Sequence, residues 1–154
     1  MKAEKNYWLL KSEEAGYSID DLKRDKKTAW TGIRNYQSRN FMRDSMQVGD
    51  LCLFYHSNSE PTGVVGVAKV VSKSYADPTQ FDRSHYYFDE KSKKEDPTWM
   101  LVDIAFVKKL KHCVTLAEIK NDPALEGMML RRRARLSVQP VSEKHFRYIT
   151  EELS

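Results

Sequence analysis

The sequence predicts an α+β fold, a single domain over residues 1–154 built on a small, mostly antiparallel β-barrel of about five to six strands flanked by short helices. Three observations predict it. The 154 residues suit one hydrophobic core and leave little room for a second. A composition of 40% hydrophobic and 31% charged residues is too apolar for a disordered chain. The strand-like runs are short, and no long amphipathic helices alternate with them as a parallel nucleotide-binding sheet would require.

The elements follow in order. Asn6 to Lys11 is apolar and aromatic and ends in Ser12, Glu13 and Glu14, which reads as a buried first strand. Ser18 with Asp21 three residues on caps a short helix. Asn35 caps another, running through Asp44 with Tyr36, Phe41 and Met42 among polar residues. Val48-Gly49-Asp50 turns the chain into a strand, Leu51 to His56, and Ser57 to Thr62 leads into Gly63 to Ser72, so the second and third strands form a hairpin. Asp-Pro-Thr occurs at Asp77 and again at Asp96, each followed by an aromatic, and reads as a pair of Asx turns bracketing a long polar excursion. The alternation from Met100 to Val107 continues to Lys111 as the clearest strand. Thr115 and Glu118 make a capping box for a helix that ends before Pro123. Arg135 to Gln139 is a last short strand, and Ser142 caps a helix with Phe146, Ile149 and Leu153 on one face.

Charge narrows the partners. There are 26 Lys and Arg against 22 Asp and Glu, a formal net charge of +4, which permits polyanion binding without demanding it. From Met128 to Tyr148 the cations Arg131, Arg132, Arg133, Arg135, Lys144 and Arg147 stand against Glu143 alone. That run is a candidate phosphate-binding surface, with a solvated face as the alternative reading. The excursion from Ala76 to Asp96 is acidic on balance and is expected to face water. Cys52 and Cys113 have no close sequence partner, and His56, His85, His112 and His145 are too far apart to suggest a metal site, so neither a disulfide nor a bound metal is expected. No GxGxxG, phosphate loop, HExxH or GxSxG occurs, so no cofactor is implied. No apolar stretch is long enough to span a bilayer and the first residues lack a secretory hydrophobic segment, so a cytoplasmic monomer without membrane contact is expected.

The informative stretch is Trp30 to Phe41, WTGIRNYQSRNF. It is too polar for a core helix, and its chemistry suits a nucleobase: aromatic faces for stacking, amides for a base edge, arginines for phosphate. The plainer reading is a surface segment that Trp30 and Tyr36 staple to the core while Asn35 caps a helix. Between the two, Trp30 is expected to wall a pocket rather than to join the core, because Thr31, Gly32, Arg34 and Asn35 leave it no apolar face to share. Tyr55-His56-Ser57-Asn58 at a strand end reads as a site or as a hairpin turn. Lys11-Ser12-Glu13 reads as a site or as a solvated strand end.

With YWLLKSE at Tyr7 to Glu13, YSIDDL at Tyr17, WTGIRNYQSRNFMR at Trp30, VGDLCLFYHSN at Val48, GVVGVAKVV at Gly63, DPTQFD at Asp77 and RLSVQPVS at Arg135, the chain resembles the EVE domain family from about Tyr7 to Ile149. The resemblance implies a PUA-like fold, related to the YTH readers of methylated adenine and to ASCH domains. It also implies a non-catalytic nucleic-acid reader that holds an extruded modified base, a 5-substituted cytosine in DNA or a modified base in RNA, in an aromatic-walled pocket. Carried onto matching positions, that pocket draws on Lys11, Ser12, Trp30, Arg34, Asn35, Tyr36, Arg39, Asn40, Tyr55, His56, Ser57, Asn58 and the strand end Ser137, Val138, Gln139 and Pro140. The runner-up is a small ASCH-like hydrolase of a modified nucleoside, with Lys11 and a carboxylate such as Glu13 as its chemistry. Glu14 stands where the family has proline, and only six residues precede Tyr7 where a nuclear member carries a basic extension, so nuclear targeting is not expected.

Overall fold

The structure, a computed structural model, describes residues 6–132 and 136–153. In the first strand, β1 (Tyr7–Glu13), Trp8, Leu9 and Leu10 are all buried. A strand buries consecutive side chains only where both faces of its sheet are covered. The chain continues through α1 (Ile19–Asp25), β2 (Lys27–Ala29) and α2 (Tyr36–Asn40), which runs on as a π-helical turn at Phe41–Ser45. Then come β3 (Leu51–Ser57), β4 (Gly63–Val70), the short pair β5 (Tyr75–Ala76) and β6 (Met100–Leu101), and the long β7 (Asp103–Thr115). The final elements are α3 (Leu116–Asn121), β8 (Val138–Val141) and α4 (Glu143–Arg147), extended by a π-helical turn at Tyr148–Leu153.

Six strands make one curled, mixed sheet in the order β2-β7-β4-β3-β1-β8, and β5 pairs with β6 beside it. Every pairing is antiparallel except β1 with β3. Among the described residues β2 and β8 remain edges, so the sheet curls as a half-barrel. Side-chain alternation divides the core in two. Trp8, Leu10, Cys52 and Phe54 pack with Ile19 and Leu22 of α1 and with Met42 and Met46. Leu9, Leu53 and Tyr55 pack on the other face with Ile119 of α3 and with Phe146 and Ile149.

The β3–β4 hairpin forms as expected, with a bulge between Phe54 and Tyr55. Ser18 and Thr115 build the predicted capping boxes, and Asn35 and Ser142 cap their helices through side-chain oxygens. Two strand expectations are corrected, and one strand was not expected. Met100 to Lys111 is not one strand, because Met100–Leu101 pairs with Tyr75–Ala76 before the chain changes partner at Val102. The last strand is Val138–Val141 and includes Pro140, which a strand bonded on one side tolerates because its missing N–H is not needed there. The sequence does not predict β2, since Lys27–Ala29 has neither an apolar run nor alternation; β7 supplies its hydrogen bonds.

Asp50, 1% exposed, accepts bonds from the Trp8 indole and the Gln47 backbone N–H and so locks the turn into β3. The polar excursion is tied at its base. Asp77 N–H donates to the Trp99 carbonyl, and the buried Gln80 amide donates to both the Asp77 and Trp99 carbonyls while its oxygen accepts from Trp99 N–H.

Candidate nucleic-acid interface

The parallel pairing of β1 with β3 sets Lys11 beside Tyr55, Ser12 beside His56 and Glu13 beside Ser57. It thereby joins two polar strand ends that lie far apart in sequence. A cavity of about 640 Å³ opens there, lined by Lys11, Ser12, Glu13, Gly16, Tyr17, Thr28, Ala29, Trp30, Thr31, Gly32, Ile33, Ser57, Tyr87 and Ser137. Such a volume is typical of small-molecule sites, roughly 300–1,000 Å³. A second recess of about 560 Å³ shares Lys11 and Ser57 with the first and adds Tyr55, Asn58, Ser59, Glu60, Thr62 and Leu116.

The cavity's aromatic walls are held rigidly. Trp30 donates its backbone N–H to the Val102 carbonyl and meets Phe54 and Tyr17 edge to face at 5.5 and 6.4 Å. Tyr17 donates its hydroxyl to Asp25, and burial together with that bond pushes its pKa up to about 12. Its backbone carbonyl accepts from the Ser12 hydroxyl at 2.6 Å. Tyr87, on the same cavity, packs against Gly32. A Cβ on Gly32 would stand 2.5 Å from the Tyr87 ring, and φ of +86° at this residue also calls for glycine.

Asp77 organises this wall. Its carboxylate, fully shielded from solvent, accepts from Gly32 N–H, Thr79 and the Arg34 guanidinium. Burial alone would push the Asp77 carboxyl up, and the bonds from Thr79, Gly32 and Arg34 outweigh it, holding the group below the usual carboxylate range. Arg34 lies over the rings of Tyr87 and Trp99 and donates to the Tyr87 carbonyl at 2.8 Å. It positions the tyrosine that lines the cavity.

Lys11 is the cation of the site. Its Nζ sits 5.4 Å from the centre of the Tyr55 ring, and among the described residues no carboxylate or other acceptor bonds it. Burial pulls its pKa below the ordinary lysine value. Glu13, the nearest acid in sequence, accepts instead from the Asn58 amide at 2.9 Å. Among the described residues no group of three His, Cys, Asp or Glu side chains is placed to hold a metal ion.

The EVE domain family model matches residues 6–152, nearly the whole chain. This chain belongs to the EVE domain family. Mouse thymocyte nuclear protein 1 is 44% identical to it over 163 residues, covering 94% of this chain and 72% of the mouse protein. The chicken protein of the same name is 41% identical, covering 93% of this chain and 66% of its own length, so the chain spans roughly two thirds to three quarters of these relatives. Among solved structures, a hypothetical protein from Leishmania major superimposes with a TM-score of 0.91 at 48% identity, covering 95% of this chain and 92% of that one. Human THYN1 protein, solved in complex with DNA containing 5-methylcytosine, superimposes with a TM-score of 0.87 at 38% identity, covering 95% and 96%. The curled sheet with its short helices is accordingly the PUA-like fold of EVE domains.

Within this EVE domain the expected pocket residues separate. Lys11, Ser12, Trp30, Ser57 and Ser137 line the cavity. Trp30 corrects the expectation of a wall in place of a core residue, for it is 7% exposed and belongs to the core as well. Tyr55 and Asn58 line only the second recess. Arg34 braces Tyr87 from behind, Asn35 caps α2, and Tyr36 stacks on Trp99 at 5.0 Å under Arg39, which donates to the Thr98 carbonyl and to Asn40. These five residues of the WTGIRNYQSRNF segment do not line the cavity. His56 accepts the Ile19 N–H at the start of α1, with burial lowering its pKa, so its ring is a structural acceptor. Val138 and Gln139 are buried and Pro140 half-buried in β8, where they build the sheet edge.

The sequence reading named Thr31 and Gly32 only as neighbours of Trp30 and missed Thr28 and above all Tyr87. The signal for Tyr87 was present in the aromatic cluster Tyr86-Tyr87-Phe88 inside an otherwise polar excursion. Of the basic run, Arg131 donates to the Asp122 carbonyl and Arg132 is exposed. Arg133 and Arg135 lie outside the described residues.

Proposed function

We propose that this EVE domain is a non-catalytic reader of modified bases that takes an extruded 5-substituted cytosine of DNA between Trp30 and Tyr87. The observation that carries the reading is the cavity itself. Its lining combines the aromatic side chains of Tyr17, Trp30 and Tyr87 with the hydroxyls of Ser12, Thr28, Ser57 and Ser137, the two kinds of group that a planar polar ring requires. Human THYN1 protein bound to 5-methylcytosine DNA supports the choice of ligand class. Extrusion costs a few kcal/mol and stacking returns about 1–3 kcal/mol per base. Edge hydrogen bonds and phosphate contacts must supply the rest.

The test is a titration of labelled duplexes that differ only in one cytosine, unmodified, 5-methyl or 5-hydroxymethyl, with an RNA strand carrying 5-methylcytosine as a further arm. The modified DNA is expected to bind best, and Tyr87→Ala to remove most of that preference. Equal affinity for every duplex overturns the reading, and tighter binding to the RNA reassigns its carrier.

The placement of Lys11, Glu13 and Thr28 in one cavity favours a second reading, hydrolysis of an acylated nucleoside, since an amine whose pKa is lowered by burial is present near neutrality in a larger fraction as the free base that a nucleophile or general base requires. Under the reader hypothesis, incubation with N4-acylated cytidine followed by mass spectrometry shows no product. Turnover that disappears in Lys11→Ala makes the protein an enzyme.

A further inference from the structure

The two recesses meet at Lys11 and Ser57. A nucleic-acid strand that sends one base into the first recess and its neighbour into the second passes the phosphodiester between them over the shared wall. Lys11 stands on that wall with its ammonium resting on the Tyr55 ring and, among the described residues, no anion to pair with. A half-buried cation without a counter-charge is costly unless a ligand supplies one. The neighbouring acid, Glu13, accepts from the Asn58 amide and, among the described residues, makes no ion pair with Lys11.

We propose that Lys11 takes the phosphate joining the extruded nucleotide to its neighbour, and that the second recess, between Tyr55, Asn58, Thr62 and Leu116, holds that neighbouring nucleotide. The proposal rests on the reader function and extends it from one base to a dinucleotide step. The recess is lined by an apolar residue, Leu116, and by short polar side chains, which suits a sugar and a base face without selecting a base identity. Glu60 is exposed on the same recess and opposes the phosphate there. The lowered pKa of Lys11 agrees with an amine prepared for an anion.

The experiment compares 5-methyl-2′-deoxycytidine, its 3′- and 5′-monophosphates, a dinucleotide carrying the same base, and inorganic phosphate by calorimetry. One of the two monophosphates is expected to bind roughly ten- to hundred-fold more tightly than the nucleoside, the span of one charge-assisted hydrogen bond. The dinucleotide gains further. In Lys11→Gln the ratio of monophosphate to nucleoside affinity falls towards one, and in Lys11→Arg it persists. Glu60→Lys, an exposed substitution, raises the ratio of dinucleotide to mononucleotide affinity several-fold. A phosphate gain that survives Lys11→Gln, or inorganic phosphate binding as tightly as the nucleotide, overturns the assignment of Lys11. A dinucleotide ratio indifferent to Glu60→Lys overturns the second subsite. If the nucleoside itself does not bind, the reader function fails first and this inference with it.

Discussion

Trp30 holds two positions at once, inside the core and on the cavity wall. It packs against Phe54 and Tyr17 and also lines the cavity, so Trp30→Ala is expected to lose roughly 3–5 kcal/mol of folding stability as well as base affinity. Urea unfolding beside a binding titration reads both, and a stable variant that merely binds less would remove Trp30 from the core. Trp30→Phe keeps an aromatic in the gap and is expected to retain most of the stability. Asp77 gives a second prediction at the same scale. Its carboxyl titrates lower in the folded protein than in the unfolded chain, so its stabilisation is complete above about pH 4 and disappears as pH falls through the depressed native value. Asp77→Asn is expected to cost as much as about 3 kcal/mol at pH 7, with the gap to the unsubstituted protein narrowing at pH 3. A constant gap across that range would mean that the charge of Asp77 contributes nothing. At this scale the sequence marked Trp30 and Lys11, whose neighbours are polar. It could not mark Asp77, because an aspartate ahead of a proline looks the same whether it caps a turn or also anchors a segment 45 residues away.

The cavity is a product of elements that meet only in the fold. Tyr87 comes from the excursion, Trp30 and Gly32 follow the edge strand β2, and Lys11 lies in the C-terminal half of β1. The contact between Gly32 and Tyr87 is the narrowest of these joints. Gly32→Ala is expected to displace the Tyr87 ring and strain the backbone at positive φ, a conformational penalty of about 1 kcal/mol or more. Base affinity should fall well beyond what that loss of stability explains. Tyrosine ring resonances in NMR spectra report the displacement; unchanged Tyr87 shifts with unchanged affinity would show that the wall lies elsewhere. Helix caps were legible in advance because capping is a local exchange between a side chain and the next three amides. Strand partners were legible only for the β3–β4 hairpin, whose short loop leaves little choice of partner.

For the whole molecule the main question is how a domain of net charge +4 holds a polyanion. If three or four phosphates are neutralised, log K should fall with log salt at a slope of about −3. Arg132, exposed and without a partner among the described residues, is expected to reduce that slope by about one unit when changed to alanine. A salt-independent affinity would confine recognition to the cavity. Lys11 alone cannot produce such a slope, so the two measurements separate the surface from the site. What the sequence by itself determined is what depends on near neighbours: an α+β domain, the capped helices, the hairpin, a buried first strand, and, through its motifs, the family. The tertiary structure alone decided that β1 lies parallel to β3, bringing Lys11 and Ser12 against Tyr55 and His56, and that the excursion returns Tyr87 to Gly32 and to the cavity that Trp30 also lines. Parallel pairing leaves no turn signature, and a loop held by the buried side chains of Asp77 and Gln80 leaves no periodicity. Both are set by contacts distant in sequence, where burial and hydrogen bonding, rather than local propensity, select the partner.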